Sequence, residues 1–172
     1  YEEQPPKGFF RLYPPQPQAD GTIKAGNRVR LKYGHVVQCT GALRDAEGQL
    51  LEVHAELLPD TKSGTPGADA VKVKGVISWV GASDAVQAEV RLYDRLFADP
   101  HPDAGGKDFL AALNPNSLKT VNAYLEPTLA QAQPDGKFQF ERHGYFVADL
   151  KDHGQGRFVF NKSTGLRDSW GK

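Results

Sequence analysis

Apolar and polar residues alternate in short runs along most of this chain, and turn-forming clusters separate the runs. The clearest run is RVRLKYGHVVQCTGAL (28–43). Arg28, Arg30 and Lys32 share one parity, and Val29, Leu31 and Tyr33 share the other. That is the period of a strand with one buried face. Gly34 marks a bulge or bend in it. DAEG (45–48) reads as a turn and QLLEVHAELL (49–58) as the returning strand. PDTKSGTPGAD (59–69) is an exposed loop. AVKVKGVISWV (70–80) reads as a strand with Lys72 and Lys74 outward, its register shifted at Gly75.

After a turn at GASDA (81–85), VQAEVRLYDRLF (86–97) alternates again, with Val86, Ala88, Val90 and Leu92 inward. KDFLAAL (107–113) predicts a short helix, stopped by Asn114-Pro115. SLKTVNAYLEP (117–127) predicts a strand, TLAQAQ (128–133) one or two helical turns, and RFVFNKS (157–163) a last strand. FQFERHGYF (138–146) has Phe138 and Phe140 on one parity and Gln139 and Glu141 on the other, followed by Arg142, His143 and Tyr145. Residues 1–8 read as a linker and 16–27 as a loop. Short strands, turns about every ten residues and little helix predict an all-β chain with small helices, built as β-barrels or a sandwich.

Composition narrows the function. Gly (18) and Pro (12) fit the many turns, while 21 basic and 21 acidic residues give no net charge, so any nucleic-acid surface must be local. The lone cysteine, Cys39, excludes an internal disulfide and suits a reducing compartment. No apolar run approaches the roughly 20 residues of a membrane span. The chain has no methionine, not even at its first position, and is read as a piece of a longer protein.

Enzymatic motifs are missing. The histidines at 35, 54, 101, 143 and 153 have no close His or Cys partner of the kind zinc sites use. GxSxG, GxGxxG and GxxxxGK[ST] do not occur. Neither a catalytic residue nor a metal site is therefore expected within these residues. Arg28, Arg30 and Lys32 would stand about 6.7 Å apart on one face of a strand. Such a row suits an extended RNA backbone, or simply a solvated face with cross-strand acidic partners. Gln139, Glu141 and Arg142 offer donors and acceptors above an apolar floor, which suits a nucleobase edge or, again, water.

Several stretches together resemble a known family. KGVISWV (74–80), EVRLYDRLF (89–97), FLAALNPNSL (109–118), FQFERHGYF (138–146) and FNKSTGLRDSW (160–170) are similar to the C-terminal anticodon-binding region of bacterial glutaminyl-tRNA synthetases. The likeness runs from about Lys7 onward, apart from an insertion near 14–26, and Ser78 replaces the family's usual His. It implies two six-stranded-type β-barrels of the ribosomal-protein and anticodon-binding kind beside a catalytic Rossmann body. Residues 9–97 would form the first, distal barrel region. Residues 98–172 would connect back to the second, proximal one. One barrel can be incomplete within this stretch.

The resemblance also implies a parent enzyme, a cytoplasmic glutamine–tRNA ligase that uses ATP and Mg. Its partners here would be tRNA, at the anticodon loop, and the parent's catalytic domain, with neither membrane nor DNA. This stretch would itself need no cofactor. Arg11 of FFRL stands where the family contacts the third anticodon base, with Phe10 in place of a preceding Lys. Arg30 and Lys32 match a pair serving the first base and nearby phosphates. Gln139 and Arg142 match the residues that meet the central base, with Glu141 orienting them. Related glutamyl enzymes, a ribosomal-RNA-binding barrel and a protein-interaction barrel are the alternatives.

Overall fold

The computed structural model describes residues 10–166. The linker expected over 1–8, Phe9 and the RDSW end of the 160–170 match lie outside them. The all-β expectation holds: the helical segments among the described residues are short 3-10 turns. The chain divides into two compact units between Trp79 and Val80.

The first unit carries β1 (Gln16–Pro17), β2 (Ile23–Lys24), β3 (Arg28–Leu31), β4 (Val36–Arg44), β5 (Leu50–Leu57) and β6 (Val76–Ile77). β1 and β2 pair as a small ribbon inside the segment expected to be loop. Two-residue strands leave no periodicity to read; this one is closed by Asp20, whose Oδ1 accepts from the Thr22 N–H at 2.9 Å. The other four strands form one sheet in the order β5-β4-β3-β6, with β3 and β6 parallel. Residues 28–43 are therefore two strands, not one. The chain reverses after Leu31, whose N–H donates to the His35 carbonyl at 2.9 Å. Tyr33 takes a positive φ of 58° in that turn and is 76% exposed, so its parity with Val29 does not bury it. Val29, Val36, Val37 and Cys39 are the buried apolar side chains.

The strand expected over 70–80 shrinks to Val76–Ile77. Residues 62–70 instead make successive turns, Thr65 to Lys62, Ala68 to Thr65 and Ala70 to Gly67. Gly67 lies so close to the Asp60 carbonyl that a Cβ there would come within 1.9 Å of its oxygen.

The second unit is built on β7 (Val86–Tyr93), β8 (Leu118–Leu125), β9 (Lys137–Phe140), β10 (Gly144–Ala148) and β11 (Val159–Thr164). Their order is β8-β7-β11-β10-β9, and β11 runs parallel to β7. The resemblance groups 80–97 with the residues before it; in the structure β7 pairs with β8 and β11. The two predicted helices are 3-10 turns, Phe109–Ala112 and Pro127–Gln131. Asp108 caps the first by accepting from the Leu110 N–H at 3.0 Å.

One face of this sheet buries Ala88, Val90, Phe146, Ala148 and Phe160, with Phe138 and Phe140 packed on them. Phe140 stacks on Phe146 with ring centroids 4.4 Å apart and meets Phe160 edge-on at 5.4 Å. His153 is buried beside Phe158 and Phe160. Its Nε2 lies 3.0 Å from the Ala132 carbonyl. Its Nδ1 lies 3.2 Å from the Val159 N–H and 3.1 Å from the Val159 carbonyl.

Candidate nucleic-acid interface

In the first unit, Arg28 is exposed and its Nε donates to Gln38 Oε1 at 2.8 Å across the β3–β4 pair. Arg30, on the same parity, is half-buried and turned to a different use. Its Nη1 donates to the carbonyls of Thr61 at 2.6 Å and Gly34 at 3.2 Å, and its Nη2 to the carbonyl of Ala68. The guanidinium thus gathers the 59–69 loop against the strand. Thr61 completes the joint, donating to the Leu58 carbonyl at 2.7 Å and accepting from the Val36 N–H at 2.9 Å. Lys32 is the first residue past β3. Its Nζ lies 5.0 Å from the centroid of the exposed Tyr33 ring, and its carbonyl accepts from Trp79 Nε1 at 3.0 Å. The three cations are therefore not a row of equivalent side chains.

Arg11 belongs to no strand. Asn27 straps its segment down: Nδ2 donates to the Arg11 carbonyl at 2.8 Å, and Oδ1 accepts from the Tyr13 N–H at 2.5 Å. Asn27 immediately precedes β3, so Arg11 is held near the start of that strand. The adjoining Gly26 has no room for a side chain, because a Cβ would stand 2.0 Å from the Cys39 carbonyl oxygen. Phe10 lies against Gly75, where a Cβ would come within 2.7 Å of its ring.

In the second unit, FQFERHGYF is a hairpin and not a continuous strand. β9 ends at Phe140, whose carbonyl accepts from the His143 N–H at 2.9 Å. Glu141, Arg142 and His143 form the turn, with Arg142 at a φ of 66°. Gln139 is exposed on the outer face of β9, while Phe138 and Phe140 pack inward. Across the strand its partner is Tyr145, also outward. Glu141 and Arg142 are thus delivered by the turn beside Gln139, all three exposed.

A second polar cluster on the same sheet is closed on itself. Arg91 donates to Glu89 at 2.7 Å, Asp149 at 3.3 Å and Asp152 at 2.6 Å, and Arg157 donates to Glu89 at 2.9 Å. Asn161 Nδ2 donates to Asp149 at 2.7 Å. That hydrogen bond, two backbone N–H groups and Arg91 hold the Asp149 carboxyl down to about 2. Hydrogen bonds from Arg157 and then Arg91 lower Glu89 as well. With its cations committed to carboxylates, this cluster has little to offer a phosphate. No group of three or more His, Cys, Asp or Glu arranged to hold a metal occurs among the described residues.

Residues 76–149 match the model for tRNA synthetases class I (E and Q), anti-codon binding domain. The whole chain is 63% identical to a glutamine–tRNA ligase of Cupriavidus taiwanensis and 60% identical to one of Ralstonia nicotianae. Over 170 residues it is 59% identical to one of Bordetella avium. Over residues 76–149 the chain is thus similar to the anticodon-binding family of the class I glutamyl and glutaminyl synthetases. It spans 28% of the length of the Cupriavidus and Ralstonia relatives. Within that family's domain the site of interest is the β9–β10 hairpin, which lies inside the matched residues. Sequence reading places Gln139 on an open face but misses that Glu141 and Arg142 sit in a turn. It also misses that Arg30 is a strut. The only advance sign of the strut is a basic residue next to a polar loop, which is far too common to single it out.

Proposed function

We propose that this chain reads the anticodon loop of a glutamine-accepting tRNA, as part of a cytoplasmic glutamine–tRNA ligase. The ATP- and magnesium-dependent attachment of glutamine belongs to the catalytic portion of that enzyme. The partners of this chain are the tRNA and that catalytic portion.

One observation supports the reading most. Gln139 presents an amide on a strand held rigid by an aromatic floor, next to a turn bearing Arg142 and Glu141. Glutamine codons require a central uracil in the anticodon. Uracil offers one N–H between two carbonyl oxygens, and a primary amide can accept from the first while donating to a second. Unstacked bases splayed onto a sheet are a general mode of RNA recognition. Arg142 adds a guanidinium fork; in the first unit, taken by itself, Lys32 and Arg11 offer positive charge to RNA, and Arg30 fixes the loop after β5.

The test is binding to the anticodon hairpin of glutamine tRNA, to the matching glutamate hairpin, and to a glutamine hairpin with its central base replaced. Tightest binding to the intact glutamine hairpin, weakening steeply with salt, is expected. Preference for the glutamate hairpin would move the chain to the glutamyl branch. Binding indifferent to sequence and salt would overturn the proposal.

A further inference from the structure

The geometry points to Tyr145 as the platform on which the base read by Gln139 stacks; this rests on the anticodon-reading proposal above. Gln139 and Tyr145 are directly paired across β9 and β10. Both project from the outer face, and Tyr145 is 46% exposed. Directly opposed residues hold their Cβ atoms about 5 Å apart. A base lying on the ring therefore has its edge within reach of the amide beside it.

The sheet carries two other half-exposed tyrosines, and both are already in use. Tyr93 donates to Asn161 Oδ1 at 3.3 Å, and the Tyr124 hydroxyl accepts from Gln87 Nε2 at 3.1 Å. Neither the Tyr145 hydroxyl nor the Gln139 amide has a side-chain partner among the described residues. The platform is also stiff. β10 is hydrogen-bonded on both sides, to β9 and to β11. The register with β11 shifts between Tyr145 and Phe146, the kind of irregularity that re-aims a side chain. Gly144 passes so close to β11 that a Cβ would stand 2.4 Å from the Thr164 carbonyl oxygen. Tyrosine has only two side-chain torsions to freeze, so it stacks at low entropic cost.

The assignment separates two contributions to one base: Gln139 selects its edge, and Tyr145 holds its face. Stacking accepts any base, so the Tyr145 contribution should be present for every base and vanish when the base is removed.

The experiment uses the full chain with glutamine anticodon hairpins that carry either the central uridine or an abasic nucleotide. Tyr145→Ala should weaken binding of the intact hairpin by about 5- to 150-fold, the range for one base–aromatic stack. Tyr145→Phe should stay within about twofold, because it keeps the ring. On the abasic hairpin, wild type and Tyr145→Ala should bind alike. Equal losses on both hairpins, or no loss on either, would overturn the stacking role while leaving anticodon reading intact. If wild-type chain does not bind the intact hairpin, the reading itself falls, and this inference with it. An unchanged melting profile of Tyr145→Ala ties its loss to the contact. If Tyr145→Ala unfolds, the folded Tyr145→Leu takes its place: weaker binding to the intact hairpin alone supports the platform, and unchanged binding overturns it.

Discussion

Arg30 and Thr61 meet through a 2.6 Å hydrogen bond from guanidinium to main-chain carbonyl, 31 residues apart in sequence. With the Gly34 and Ala68 carbonyls sharing the same head group, Arg30 holds the loop after β5 in place. Hydrogen bonds from a charged group are each worth about 1.5–3 kcal/mol. Arg30→Ala should therefore lower the unfolding free energy of the first unit by about 2 kcal/mol. Arg30→Lys, with one charge and no planar fork, should recover only part of it. Urea denaturation followed by circular dichroism would show this. An Arg30→Ala chain as stable as wild type would free the residue for a direct RNA contact.

His153 should prove as costly to remove as a core aromatic. It answers the Ala132 carbonyl on one side and the Val159 N–H on the other, while its ring fills space against Phe158 and Phe160. His153→Phe keeps the ring and abandons both main-chain groups. Leaving buried groups unpaired costs about 1–3 kcal/mol each. His153→Phe should thus be destabilised by several kcal/mol, and its thermal midpoint compared with wild type is the readout.

Acid should loosen the second unit through Asp149. Its folded-state carboxyl, held near 2 mainly by Asn161, titrates below the ordinary aspartate value of 3.8. The unfolded chain therefore takes up the proton first as pH falls. The stabilisation is whole above about pH 4 and drains away toward pH 2. Glu89 shifts in the same direction. Denaturation midpoints measured from pH 7 to pH 2 should be flat and then fall. Asp149→Asn should start lower at pH 7, because its amide faces the Asn161 and Arg91 donors, and should fall less steeply in acid.

Gln139→Ala should report on a single base. Losing one paired base contact costs about 1–3 kcal/mol in the analogous duplex readout. The loss should appear with the intact glutamine hairpin and shrink when the central uracil is replaced. Fluorescence anisotropy on both hairpins measures the difference, and equal losses would deny Gln139 any reading of that base.

The all-β character and the inward set Ala88, Val90, Phe138 and Phe140 are legible because period-2 alternation reflects burial directly. The reversal at 32–35 is legible only in part, as the bulge or bend marked by Gly34. The positive φ falls one residue earlier, on Tyr33, where no glycine or asparagine announces it, so a full reversal reads as a bend. The same blind spot hides the turn at Arg142, another non-glycine residue with positive φ. KVKGVISWV alternates well but stays mostly unpaired, since β3 offers its edge only to Val76 and Ile77. Of the site residues, Gln139 follows from parity alone. What Arg30 touches depends on where a loop 31 residues later returns, and no local pattern encodes that.

The order β8-β7-β11-β10-β9 sets a timetable for synthesis on the ribosome. Both hairpins, β7 with β8 and β9 with β10, can close on emergence, because their strands adjoin in sequence order. The strand that joins them is the last of the five to be translated, and it must slot in between, parallel to a strand made long before. Contacts that distant in sequence form slowly. Until β11 arrives, the nascent unit is two separate ribbons with an unfinished seam, and a chaperone or a stalled ribosome would find it there.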